Sequence, residues 1–67
     1  MSIIGKLSKN IKKIRAEKQM SQSDICRILT MDRGYMSAIE NGKKNITILQ
    51  LEKIARALKV SSSELLK

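Results

Sequence analysis

The 67-residue chain has no proline, histidine, tryptophan or phenylalanine, one aromatic residue (Tyr35) and one cysteine (Cys26). Each scarcity removes a class of protein. A lone cysteine cannot close an internal disulfide, which excludes a small stapled scaffold of the secreted kind and points to a reducing, cytoplasmic setting. With no histidine and one thiol, the usual metal-ligand sets cannot be assembled. There is no glycine-rich phosphate loop, and no nucleophile and base share a local motif, so neither an enzyme nor a cofactor or small-molecule ligand is expected. No apolar run approaches the roughly 18 residues that a membrane-spanning helix needs, and the start MSIIGKLSK is too briefly apolar for a secretion signal. Apolar residues are mostly Ile, Leu and Met, and with no proline to interrupt them they favour an all-α fold.

What the chain has in excess is positive charge. Fourteen Lys and Arg face six Asp and Glu, a formal net charge of +8, which implies a polyanionic partner or an anionic surface. Nucleic acid and membrane are the two candidates. A length of 67 residues allows one small core, so residues 1–67 are read as a single domain.

Helical periodicity and capping signals divide the chain into five helices. Leu7, Ile11 and Ile14 recur at helical spacing among lysines, giving a first helix over about Lys6 to Lys18. Ser21 with Asp24 forms a capping-box-like start for a second helix over about Gln22 to Thr30, expected to be buried through Ile25, Ile28 and Leu29. Asp32 caps a third helix whose apolar stripe is Tyr35, Met36 and Ile39, and Gly42 stands where a left-handed helix end is easiest. Arg33, Gly34, Ser37 and Ala38 fall on its exposed side. Thr47 with Gln50 opens a fourth helix over about Ile48 to Lys59, carrying Ile48, Leu51, Ile54, Ala55 and Leu58 at helical period. Ser61 with Glu64 opens a short fifth, in which Leu65 and Leu66 are the large apolar groups. Only Met31 and Asp32 join the second and third helices, a connection short enough to make them cross steeply as a helix-turn-helix over about residues 22–41. Small Cys26 suits that crossing and is expected to pack there, not to act as a reactive thiol.

These residues resemble the lambda-repressor and Cro-like (XRE-type) helix-turn-helix regulators across about residues 11–66. The resemblance rests on Gln22, on Cys26, on the run Asp32-Arg33-x-Tyr35-x-Ser37-x-Ile39-Glu40-x-Gly42, and on Asn45-Ile46-Thr47 before Leu51-x-x-Ile54-Ala55-x-x-Leu58. The words Asp32-Arg33-x-Tyr35 and Lys44-Asn45-Ile46-Thr47 look particularly like the controller proteins of restriction–modification systems. The resemblance implies a five-helix lambda-repressor-like fold, a double-stranded DNA partner, control of restriction–modification genes and of the chain's own promoter, and an Arg15–Glu40 pair joining the first helix to the third. The chain departs from the family pattern twice. Thr30 stands where the turn often carries Gly, and a β-branched residue is strained at positive φ, so a differently built turn is expected. Gly34 stands where a side chain often faces DNA.

For DNA binding, Arg33 at the start of the third helix is the best placed long donor, able to reach guanine O6 and N7 with two hydrogen bonds. Ser37 and Ala38 follow one turn on, as a donor and as a partner for a thymine methyl. Gln22, at the start of the second helix, is expected to hold a phosphate beside that helix's free N–H groups. The Tyr35 ring fits the core edge with its hydroxyl toward a phosphate, and Lys43, Lys44 and Asn45 form a basic loop beside the groove. A homodimer on palindromic half-sites is expected, paired through Ile46, Leu49, Val60, Leu65 and Leu66, which exceed what one short core needs. Two readings compete. KLSKNIKKIRAEK could serve as a basic membrane-surface helix, although such a peptide does not need four further capped helices. A Cro-like phage or plasmid repressor, or an antitoxin-like module that masks a protein partner, would use the same fold.

Overall fold

Helix ends organise this small molecule. The computed structural model describes residues 3–67, so Met1 and Ser2 of the expected domain lie outside it. Five helices follow in order, α1 (Ile3–Glu17), α2 (Gln22–Leu29), α3 (Arg33–Glu40), α4 (Ile48–Leu58) and α5 (Ser62–Leu65). There is no strand among the described residues. α1 begins three residues before the expected Lys6, because Ile3 to Gly5 continue the helix ahead of its first buried residue, Leu7.

The starts of α2 to α5 are each capped by a side chain that accepts a backbone N–H which the first turn would otherwise leave free. Ser21 and Asp24 complete a reciprocal capping box on α2, with Oγ accepting from Asp24 N at 3.0 Å and Oδ2 accepting from Ser21 N at 2.8 Å. The Ser21 backbone N–H holds the Asp24 carboxyl below the usual carboxylate range, with the Ser21 hydroxyl and Arg27 adding to the effect. Asp32 caps α3 by accepting from Tyr35 N, and Thr47 caps α4 by accepting from Gln50 N. Ser61 accepts from Glu64 N, while the Glu64 carboxylate pairs with Lys67.

Four helices terminate in one common way. Gln19, Thr30, Gly42 and Lys59 take left-handed backbone angles, and the next residue's N–H reaches back five positions, from Met20 to Arg15, Met31 to Cys26, Lys43 to Ala38 and Val60 to Ala55. This is the Schellman closure, which satisfies carbonyls at the end of a helix. Gly42 behaves as expected. Thr30 corrects the expectation of a differently built turn. It adopts φ 53 and ψ 51 despite its branched side chain, and α2 ends at Leu29.

The core is Leu7 and Ile11 from α1, Ile25 and Cys26 from α2, Met36 and Ile39 from α3, Leu51, Ile54, Ala55, Ala57 and Leu58 from α4, and Leu65 from α5. α2 packs on α3 and α4, α1 on α3 and α5, and α4 on α5. Two expected core positions are exposed. Ile28 is 55% exposed, because the inward stripe of α2 is Ile25, Cys26 and Leu29, and Ile28 lies about 100° round the helix from Leu29. Cys26 is buried on that stripe as a free thiol, and burial pushes its pKa up. Ile48 is 77% exposed, being the first residue of α4 and one turn above the point where that helix meets the core.

Candidate nucleic-acid interface

α3 presents one face to the core and the opposite one to solvent. Met36, Ile39 and Glu40 are buried, while Arg33 and Gly34 are exposed and Ser37 and Ala38 are half-buried beside them. Arg33 has no ion-pair partner among the described residues, so all its donors remain available. The Ser37 hydroxyl lies 3.4 Å from Asn41 Nδ2.

Gly34 lies against the cap of α3. A Cβ placed there would come within 2.9 Å of Asp32 Oδ2, the oxygen that caps the helix. Glycine leaves that oxygen in place without a side-chain adjustment, and leaves the neighbourhood of Arg33 without a second side chain.

Beyond α3 the Schellman closure at Gly42 turns the chain sharply, and Lys43, Lys44 and Asn45 follow as an exposed loop before Thr47 restarts the helix. Neither lysine is ion-paired among the described residues. Gly42 also lies close to α1, since a Cβ there would meet Ser8 Oγ at 3.6 Å.

A buried polar cluster ties the reading elements together. Arg15 donates from Nε to Glu40 Oε2 at 2.6 Å, from Nη2 to Glu40 Oε1 at 3.1 Å and from Nη1 to the Met20 carbonyl at 2.8 Å. Gln22 Nε2 donates to the same Glu40 Oε1 at 3.0 Å. The expected α1–α3 pair is thus present, and it extends to α2. This alters the picture of Gln22 as a free clamp. One of its amide hydrogens is held by Glu40, so only the second can be offered to a phosphate. Glu40 is 6% exposed, and at such a site paired charges orient more than they stabilise. The Tyr35 ring is half-buried against the core, as its place in the helical stripe indicated.

The expected pairing surface needs correction at one residue. Leu65 is 0% exposed, held in its own core by α5, which Asn10 ties down by donating from Nδ2 to the Leu65 carbonyl at 3.0 Å. It cannot meet a partner. Ile46 and Val60 are half-buried against the core, and Leu49 and Leu66 are exposed. Ile46 and Leu66 line an apolar groove of about 350 Å³ together with Ile3, Ile4, Leu7, Ile48 and Leu51. Sequence reasoning missed Ile3 and Ile48, since each sits at a helix start where periodicity alone does not distinguish a core position from a surface one.

Among the described residues no three His, Cys, Asp or Glu side chains are grouped to hold a metal, and no helix is long and apolar enough to cross a membrane.

Comparison with known proteins accords with this geometry. The Helix-turn-helix family profile matches residues 11–65. Control protein C.MunI from Mycoplasma sp is 45% identical over 56 residues, covering 82% of this chain and 76% of that protein. The crystal structure of the restriction–modification controller protein C.AhdI from Aeromonas hydrophila superposes with a TM-score of 0.87 at 27% identity, covering 92% of this chain and 94% of that one. The controller protein C.Esp1396I, solved as a tetramer in complex with its natural 35 base-pair operator, superposes with a TM-score of 0.84 at 40% identity over 100% of this chain and 99% of that one. The chain therefore belongs to the XRE-type helix-turn-helix family of DNA-binding transcriptional regulators, with restriction–modification controller proteins among its relatives.

Proposed function

We propose that this protein is a cytoplasmic regulator that binds palindromic operator DNA as a homodimer and controls restriction–modification genes together with its own promoter. The observation that carries the reading is the unpaired Arg33 at the capped start of α3, followed in the chain by an unpaired basic loop. Arg33 reads a guanine edge, and Ser37 and Ala38 follow it along the groove. Gly34 leaves room for the backbone to approach the duplex. Lys43, Lys44, Asn45, the free amide hydrogen of Gln22 and the Tyr35 hydroxyl hold phosphates and fix the register. C.Esp1396I occupies its operator as a tetramer, which supports binding by more than one copy here.

The dimer forms over the apolar groove, which Ile46 and Leu66 line together with Ile3 and Ile48, and Leu49 and Val60 join the interface from outside that lining while Leu65 does not. Selection of bound duplexes from a random pool tests the whole reading. A palindromic consensus with half-sites about 34 Å apart is expected, one turn of DNA for a two-fold dimer. Failure to enrich any site would instead indicate a module that masks a protein partner.

A further inference from the structure

Most of the positive charge lies away from the reading helix. Arg33, Lys43 and Lys44 are the cations of the candidate interface, whereas α1 alone carries Lys6, Lys9, Lys12 and Lys13, all exposed. None of the four is ion-paired among the described residues. Lys9 and Lys13 stand about 160° round the helix from Ile11, with Lys6 and Lys12 flanking them. Ile11 is fully buried, so the lysines point away from the side that packs on α3 and α5.

The arrangement is unfavourable for the protein alone. α1 has no acid in its first turn, and Lys6 sits near the positive end of the helix dipole. Lys6 and Lys9, Lys9 and Lys12, and Lys9 and Lys13 are like-charge pairs three or four residues apart, which repel. A row of anions would relieve both effects. From Lys6 to Lys13 the helix rises about 10.5 Å, or about three phosphate steps along one strand of a duplex.

We propose that the outer face of α1 is a second, sequence-independent binding surface for duplex DNA, holding a stretch of duplex other than the one read by α3. A membrane is the poorer match, because an interfacial helix needs a free apolar face, and Leu7 and Ile11 of α1 are buried in the core. The proposal rests on the DNA-binding reading only for its choice of polyanion.

The test compares the wild-type protein with a variant carrying Lys6→Gln, Lys9→Gln, Lys12→Gln and Lys13→Gln. Each is loaded on an immobilised duplex trimmed to the selected operator and offered a labelled duplex of unrelated sequence. The wild type should retain the second duplex and the variant at least tenfold less, while their affinities for the trimmed operator agree within about twofold. Lys43→Gln with Lys44→Gln should show the reverse pattern. For the unrelated duplex, the slope of log affinity against log salt should fall by about 0.9 for each lysine engaged.

Equal retention of the second duplex by variant and wild type would overturn the proposal, leaving α1 as a solvated face. So would an equal loss on the trimmed operator, which would place these lysines in the reading surface. Tighter wild-type binding to phosphatidylserine vesicles than to duplex at the same salt would overturn it in favour of a membrane. If selection enriches no operator, the proposed function fails by itself, and the salt slope on unrelated duplex still decides the role of α1. The variant should melt no lower than the wild type, since repulsion has been removed. Should it melt lower, Lys9→Gln with Lys13→Gln supplies the same comparison with half the change.

Discussion

Thr30 carries the least comfortable backbone of the reading motif, a β-branched residue at φ 53, where an L-residue gives up roughly 1–2 kcal/mol relative to the right-handed region. Glycine there loses more chain entropy on folding, which offsets part of the gain. Thr30→Gly should therefore stabilise the protein by roughly 1 kcal/mol, read as a higher thermal midpoint with DNA affinity unchanged. Gly34 presents the opposite case. Gly34→Ala improves helix propensity by about 1 kcal/mol but crowds the Asp32 cap, whose loss costs about 1 kcal/mol, so the single change should be close to neutral. In an Asp32→Ala background the crowding is gone, and Gly34→Ala should stabilise by about 1 kcal/mol. Equal effects in both backgrounds, by denaturant titration, would break the link between Gly34 and the cap. For DNA, Arg33→Ala should relax preference at one symmetric base position, with a penalty of roughly 1–3 kcal/mol on the cognate site. Lys44→Ala should weaken all sequences alike and lower the salt slope by about one. A uniform loss from both changes would show that Arg33 holds phosphate and does not read bases. Arg33 and the lysine loop were legible in the sequence because exposure and charge follow from helical register. The engagement of Gln22 was not legible, since it depends on where Glu40 of another helix arrives.

At the scale of the elements, the cluster of Arg15, Gln22 and Glu40 joins three helices that otherwise meet through apolar contacts. Removing one member leaves a buried partner uncompensated. Glu40→Ala should cost about 3 kcal/mol or more, whereas the paired change Arg15→Met with Glu40→Leu should recover most of that loss. The comparison is made by denaturant unfolding, and DNA affinity of the paired variant separates orientation from stability. If the paired variant regains stability yet binds DNA as poorly as Glu40→Ala, the cluster serves to set the angle of α3. Capping signals marked the helix starts well, because Ser, Thr and Asp act on N–H groups two or three residues away, inside the same stretch of sequence. Three of the four Schellman ends went unseen, since Gln19, Thr30 and Lys59 take a conformation that glycine would have advertised. Ile28 was misplaced for a related reason. Two helical stripes share Ile25 and Leu29, and only contact with α3 and α4 selects the one containing Cys26.

At the scale of the whole molecule, the groove bounded by Ile3, Ile46, Ile48 and Leu66 is the surface that a second copy would cover. Ile48→Asp should give a monomer at all micromolar concentrations by sedimentation while helicity is retained, because the residue is exposed in the single chain and would be buried in the proposed dimer. A persisting dimer would move the interface elsewhere. The sequence by itself determined the all-helical class, the starts of α2 to α5, the helix-turn-helix spacing and the identity of Arg33, Lys43 and Lys44 as surface cations, since each follows from periodicity, capping and charge within a few residues. Tertiary structure alone decided that Leu65 belongs to the core and Ile48 to the surface, that Gln22 is tied to Glu40, and that the lysines of α1 face away from α3. Those outcomes depend on which helix sides meet across long sequence separations, a property of packing that no local pattern encodes.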